Sequence, residues 1–268
     1  MNLIHTRATW GIDLPFEKQL DLIKADGYAA VEIAGGYPDD PAAAKDAFGS
    51  RGLQYIMMAF TGGKTVEEHL ASFKRDMQKL ATFKPRHVTV HSGNDWFSFK
   101  EAVAFYKEVV KIERDLPMPV AHETHRGRIF FNPWITRDVL GEVPELKLCV
   151  DLSHWVCVTE SLMPNLNPII ELVAKHCLHI HARVGYEEGP QVPDPSAQEY
   201  AKHVETHEGW WKTMLAARTA AAHKETTITP EFGPPGYLHT LPHTNVPVAD
   251  LRKVCNWMRD RVAKTLST

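Results

Sequence analysis

No apolar run in this sequence approaches the ~20 residues that a bilayer-spanning helix requires. The N-terminal stretch MNLIHTRATWGIDLPFEKQ has no basic segment followed by an apolar one, so neither a membrane anchor nor a secretory leader is expected. Positive charge is not in excess either: 30 Lys and Arg face 33 Asp and Glu, for a formal charge of −3. A dedicated nucleic-acid binder would need a basic surplus to contact phosphates, so no nucleic-acid partner is expected. Cysteine is scarce. The four present, Cys149, Cys157, Cys177 and Cys255, sit in apolar segments without CxxC spacing. They read as reduced thiols of a cytoplasmic protein and exclude a disulfide frame or a structural zinc site. A G-x-S-x-G elbow is absent and no cysteine ends a strand, which argues against a Ser or Cys hydrolase. No Pro/Gly-rich linker, low-complexity tract or short-period repeat divides the chain, so residues 1–268 are expected to form one domain.

What is present is ordinary globular composition, 44% hydrophobic and 24% charged, with an unusual fifteen histidines. Short apolar runs alternate with amphipathic stretches from end to end, the pattern of βαβ units and a parallel sheet. The expected strands are 2–6, 29–33, 53–59, 86–91, 118–123, 146–151, 177–182 and 226–231. The expected helices lie near 15–25, 41–50, 65–83, 98–114, 134–141, 166–175, 197–223 and 246–264. Ser98 followed by Glu101, and Thr65 followed by Glu68, have the spacing of capping boxes at two helix starts. Eight strands alternating with eight helices in about 250 residues is the arithmetic of a closed (β/α)₈ TIM barrel, an α/β fold. Two long segments rich in Pro and Gly, 183–200 and 232–246, follow strands and so belong on the C-terminal face, where barrel active sites are built.

Side chains alternate along a strand, so each strand has two faces. Val88 and Val90 oppose His87, Thr89 and His91; Leu146, Leu148 and Val150 oppose Lys147, Cys149 and Asp151. Leu178 and Ile180 oppose His179, His181 and Arg183, Ile228 opposes Thr227, Thr229 and Glu231, and Val31 and Ile33 oppose Ala30 and Glu32. The apolar set must face the dry helix layer, so the polar set points into the barrel. His87, Lys147, His179 and Glu32 read as groups that satisfy one another inside it. The strand ends read differently. His91, Glu123, Asp151, His181 and Glu231 each close a strand and converge at one mouth, where clustered acids need a cation or shared protons. Two Glu, one Asp and a neutral His nitrogen suit Mn²⁺ first, with Mg²⁺, Co²⁺ or Zn²⁺ as alternatives.

At these residues the chain resembles the xylose-isomerase-like TIM-barrel superfamily, in particular its sugar phosphate isomerase/epimerase group. GYAAVEI is similar to the family's second-strand signature, HVTVHSG to its fourth-strand end, and HETHRG to the segment with its first metal-binding Glu. DLSHW resembles its D-x-x-H element, HIHAR its H-x-H strand, and TPEFG its closing Glu. The resemblance implies metal ligands at Glu123, Asp151, His181 and Glu231. It also implies a substrate-binding or neighbouring His154, and a substrate-orienting Arg at Arg183. His91, His125 and Arg126 lie on the same face as further substrate contacts.

A metal that holds adjacent carbonyl and hydroxyl oxygens acidifies the C–H between them. The expected activity is therefore a divalent-metal-dependent isomerase or epimerase. It would act on a sugar or keto-sugar, with or without a phosphate, by proton transfer through a metal-bound enediolate. Glu123 and Glu231 are the expected acid/base pair. The alternative is a lyase or dehydratase on a keto-sugar or 3-keto-glycoside that uses the same pair. An endonuclease IV-like nuclease shares His91, Glu123, Asp151, His154 and His181 but needs further zinc ligands where this chain has HARVGYEEG and MMAFTGG. A non-catalytic sugar-binding barrel would not need both glutamates. Trp10, Trp96 and Trp155 read as core packing in preference to a sugar-stacking wall. The pair Trp210–Trp211 reads as exposed and suited to a contact between copies in a homo-oligomer.

Overall fold

The computed structural model describes residues 1–266; residues 267 and 268, the last two of the expected domain, lie outside the described residues. Eight parallel strands follow one another around a closed barrel: β1 (Asn2–Ala8), β2 (Ala30–Ile33), β3 (Gln54–Phe60), β4 (Val88–His91), β5 (Val120–Glu123), β6 (Leu148–Val150), β7 (Cys177–His181) and β8 (Glu225–Thr229). β8 closes on β1 with Ile4 opposite Thr227. The outer layer is α1 (Phe16–Ala25), α2 (Pro41–Gly49), α3 (Val66–Ala81), α4 (Phe99–Glu113), α5 (Pro133–Glu142), α6 (Ser153–Thr159), α7 (Asn167–His176), α8 (Ala201–Ala220) and α9 (Leu251–Leu266). The protein is a single (β/α)₈ TIM barrel, as the alternation implies. Among the described residues, no helix is long and apolar enough to cross a membrane.

Helix starts follow their local chemistry. Ser98 closes a complete capping box with Glu101 at α4. Thr65 accepts from the Glu68 N–H at α3, but the Glu68 carboxylate turns back to the Lys64 N–H and leaves that box open. The short α6 has no counterpart in the periodicity, because seven residues carry too little of it. It starts two residues after the expected ligand Asp151, and it is capped at Glu160 in the left-handed region (φ 47°).

The two-faced reading of the strands holds. Val31, Ile33, Val88, Val90, Leu148, Val150, Ile180 and Ile228 pack into the core between barrel and helices. Inside, Thr89 donates to Glu32 Oε1 (2.7 Å), while His181 Nε2 (3.0 Å) and Thr229 Oγ1 (2.9 Å) bond Glu32 Oε2, with His179 Nε2 3.3 Å away. Lys147 is a correction: it precedes β6 and is exposed at the barrel's lower rim.

Trp210 and Trp211 are a second correction. They are 7% and 1% exposed, because α8 packs against α7 and α9 and both indoles pack around His207. They offer no surface for a contact between copies. His207 itself ties α8 to the loop after β7: Gly185 N–H donates to its Nε2 (3.3 Å), and its Nδ1 donates to the His203 carbonyl (2.8 Å). Burial lowers its pKa from 6.5 to about 4. The folded state therefore binds this proton more weakly than the unfolded chain. Its contribution, about 3 kcal/mol, is complete above pH 6.5 and is lost as pH falls toward 4. His207→Gln cannot gain that proton, so its urea midpoint should fall less steeply between pH 6.5 and 4 than that of the wild type. Parallel slopes would remove His207 as the source.

Candidate active site

Glu123 and His181 are the last residues of β5 and β7, Asp151 follows β6 directly, and Glu231 lies two residues past β8. Barrel closure brings their donor atoms within 4.8 Å of one another, all four side chains buried. His181 Nδ1 lies between the two glutamates, 3.4 Å from Glu123 Oε1 and 3.0 Å from Glu231 Oε2. Asp151 is aimed by its surroundings: Oδ1 accepts from the Ser153 N–H (2.9 Å) and hydroxyl (2.5 Å), and Oδ2 from Arg183 Nη2 (2.5 Å). Burial pushes its carboxyl up to about 6 against the pull of Arg183. Burial also pushes Glu123 up, but the facing His91 and His181 rings outweigh it and hold that carboxyl well below its ordinary value.

These donors fit a divalent cation. Both Glu123 oxygens and His181 Nδ1 are buried and make no hydrogen bond. His181 sits at ion-pair distance from two carboxylates yet off the line of an N–H bond to either. Its other nitrogen, Nε2, bonds the Glu32 carboxylate, which fixes the tautomer with the bare Nδ1 lone pair aimed at the cluster. Unpaired buried carboxylate oxygens facing an unpaired imidazole nitrogen are costly unless a positive charge sits among them. Three oxygen donors and one nitrogen suit Mn²⁺, Mg²⁺, Co²⁺ or Zn²⁺.

Above the cluster lies a cavity of about 430 Å³, lined at its polar end by Glu231, Arg183, His91, His125 and Glu32. His91 Nε2 is 2.5 Å from Glu123 Oε2, and its ring lies against those of Phe60 and His125. Arg183 is buried and engages Asp151, His154 Nε2 (2.6 Å), Ser153 Oγ (3.2 Å) and Glu231 (3.3 Å). Gly185, just beyond, lies against Ser153; a Cβ there would stand 2.6 Å from the Ser153 carbonyl. His154 and Arg126 do not line the cavity. His154 lies behind His125 with ring centroids 3.9 Å apart, and burial holds it neutral. Arg126 stacks on Tyr237 at 5.2 Å.

Two participants escape the sequence reading. Glu32, taken as core, both orients His181 and lines the cavity. Its signal is a carboxylate on the inward face of a strand. Tyr237, in the long segment after β8, stacks on Arg183 at 4.9 Å and contacts His125 Nε2 at 3.4 Å. Only the length and position of its loop mark it. Of the three tryptophans, Trp155 is core, with its Nε1 donating to the Phe130 carbonyl; Trp96 is exposed, and Trp10 lines the cavity. Ser92, His122 and Glu113 make a triad-like chain (2.9 and 2.7 Å), but Ser92 is buried against the Tyr106 hydroxyl and does not line this cavity.

A closed (β/α)₈ barrel with buried His and carboxylate donors at its strand ends defines the class. The chain belongs to the xylose isomerase-like TIM barrel family, which it matches over residues 20–216, more than half its length. No curated protein matches it in sequence. Among solved structures, the IOLI protein with a bound zinc atom is 13% identical, covers 99% of this chain and 96% of its own, and has a TM-score of 0.64. A sugar phosphate isomerase/epimerase from Parabacteroides distasonis ATCC 8503 is 10% identical, with coverage of 97% and 93% and a TM-score of 0.62. The probable 3-DHS dehydratase AsbF of Bacillus anthracis, involved in petrobactin synthesis, is 12% identical, with coverage of 98% and 99% and a TM-score of 0.59. At such identities the likeness establishes the fold, and activity has to be argued from the site.

Proposed function

We propose that the protein is a divalent-metal-dependent isomerase or epimerase of a sugar or keto-sugar, built on one domain over residues 1–268. The observation that carries the reading is the buried meeting of Glu123, Asp151, His181 and Glu231 beneath an open cavity. These four residues would hold the ion, Mn²⁺ in the first instance. A divalent cation there supplies Lewis acidity toward a carbonyl and its neighbouring C–H. Glu231 lines the cavity and is placed to take a proton from bound substrate. Glu123, across His181 Nδ1, is the second carboxylate of the acid/base pair. His91 and His125 face the cavity as partners for substrate hydroxyls, and Arg183 holds Asp151 and Glu231 in place beside them. His154 acts through Arg183, and Arg126 through Tyr237. No nucleic-acid partner enters this reading, and the free cysteines agree with a reducing, cytoplasmic setting.

A second reading uses the same carboxylate pair. Loss of a β-substituent after the first proton removal would make the enzyme a lyase or dehydratase on a keto-sugar, and the structural likeness to AsbF supports keeping it. Proton exchange tests both. Protein stripped with chelator and reloaded with Mn²⁺ should exchange the α-proton of at least one of a panel of keto-sugars, free and phosphorylated, in D₂O. The stripped protein should exchange none. A panel that shows no metal-dependent exchange by NMR overturns the assignment, and product analysis separates isomer, epimer and elimination product.

A further inference from the structure

We propose that the substrate is an unphosphorylated sugar carrying a planar apolar substituent, seated in a slot between Trp10 and Phe60. This rests on the sugar-active reading above and names the substrate class it takes. β1, β2 and β3 are neighbours in the barrel, so their C-terminal ends form one continuous wall of the cavity. That wall is mainly apolar: Ala8 and Trp10 at the end of β1, Ala34 and Gly35 just after β2, and Met58 and Phe60 at the end of β3, with Thr9 and Glu32 its polar members. Aromatic, small, aromatic is the profile of a slot. A Cβ built on Gly35 meets no atom within 4 Å, so the β2 end of the wall leaves room for a ligand. Trp10 and Phe60 remain 38% and 45% exposed although both line a cavity. Apolar rings left wet in a concave site are the surface a ligand covers.

The slot is held in place. A Cβ on Gly233 would stand 2.2 Å from the Trp10 ring, so only glycine lets that indole lie flat on the loop after β8. Gly233 is in turn clamped by the buried Gln191 through two hydrogen bonds, 2.7 and 3.2 Å. The edge of Tyr237 braces Trp10 from the side, with centroids 5.0 Å apart. Phe60 lies against His91, which sets the apolar wall beside the Glu123 carboxylate.

The side-chain charge at the cavity disfavours a phosphate. Arg183 is the one cation among the cavity-lining residues, and its guanidinium is already engaged by Asp151 and Glu231. Arg126 lies outside on Tyr237, and Arg128 donates to the Thr61 and Gly93 carbonyls. The Gln19 amide, at the cavity edge, donates to the Ile12 and Leu14 carbonyls. A phosphate dianion entering here would find no free Arg or Lys and would face the Glu32 carboxylate.

Calorimetry on the Mn²⁺-loaded protein tests this with paired ligands: phenyl and methyl β-D-glucopyranoside, the corresponding galactosides, and D-glucose against D-glucose 6-phosphate. In at least one sugar series the phenyl glycoside should bind about tenfold tighter than the methyl, from the extra apolar area covered. Trp10→Ala should bring that ratio near one. So should Gly35→Leu, which fills the slot at a backbone position outside the left-handed region. The 6-phosphate should bind no tighter than glucose. Phenyl glycosides that bind no tighter than methyl ones in both series, a preferred 6-phosphate, or a ratio unmoved by both substitutions overturns the proposal. Metal-dependent exchange of simple keto-sugars would survive that failure. Conversely, a clear phenyl preference without exchange on any keto-sugar would leave the slot and remove the isomerase reading.

Discussion

Glu123→Gln and Glu231→Gln are each expected to lower turnover by about 10²-fold or more while the protein keeps most of its affinity for Mn²⁺. Glutamine has the size of glutamate and retains one oxygen donor, but it cannot accept a proton. Metal binding and proton transfer are therefore separable at these two positions. Glu123 is suited to the test, because neither of its oxygens makes a hydrogen bond that the amide would forfeit. Burial pushes its carboxyl up, but the neighbouring His91 and His181 outweigh this and hold it well below its ordinary value. The two carboxylates flank His181 Nδ1 from different strands, so they should act on different positions or faces of the substrate. A Gln variant that still exchanges the α-proton with D₂O without forming product would identify the other glutamate as the base that starts the reaction. Near-full turnover in both variants, with metal still bound, would end the two-glutamate mechanism and make the cavity-lining His91 and His125 the next bases to test.

The second large effect is on the ion itself. One divalent ion per chain is expected, and chelation should abolish turnover, with Mn²⁺ restoring it. Asp151→Ala should lose both ion and activity, because it removes the donor that Ser153 and Arg183 together aim at the cluster. His154→Ala and Arg183→Ala should keep the ion and lose rate. Arg183 contacts two of the ligand carboxylates but offers the ion no donor of its own, so its removal should not weaken metal binding. Saturation at about 100 times the dissociation constant should stabilise the fold by about 2.7 kcal/mol, a shift that thermal unfolding will read. Elemental analysis checks the stoichiometry. Folded protein that takes up no Mn²⁺ at saturation would sink the account, and several zinc ions per chain would favour an endonuclease IV-like enzyme instead.

Much of this site is legible in the sequence. Alternation along β4, β6, β7 and β8 divides inward from outward residues, and a polar inward residue at a strand's C-terminal end of a barrel has one place to go. Asp151, His181 and Glu231 are legible for that reason. The same rule misplaced Lys147, because it cannot tell where a strand begins; β6 starts one residue later. Trp210 and Trp211 failed for another reason. Adjacent residues of one helix point in different directions, yet α8 is enclosed widely enough to bury both.

By itself the sequence determined the barrel, which residues line its interior, and which four donors stand at its mouth. Most of these follow from a period of two along the strands and the order of the strands, with Glu123 marked by its place at the end of β5, and these are local properties of the chain. Only the tertiary structure decided how those donors are oriented and what faces them. Glu32 bonds a histidine 149 residues away, and that contact selects the His181 tautomer. Tyr237 covers Arg183, and Gly233 makes room for Trp10, through loop packing that no periodicity encodes. Such contacts exist only once barrel closure brings distant strand ends within a few ångströms of one another, so their chemistry is a property of the closed barrel and not of any segment of it.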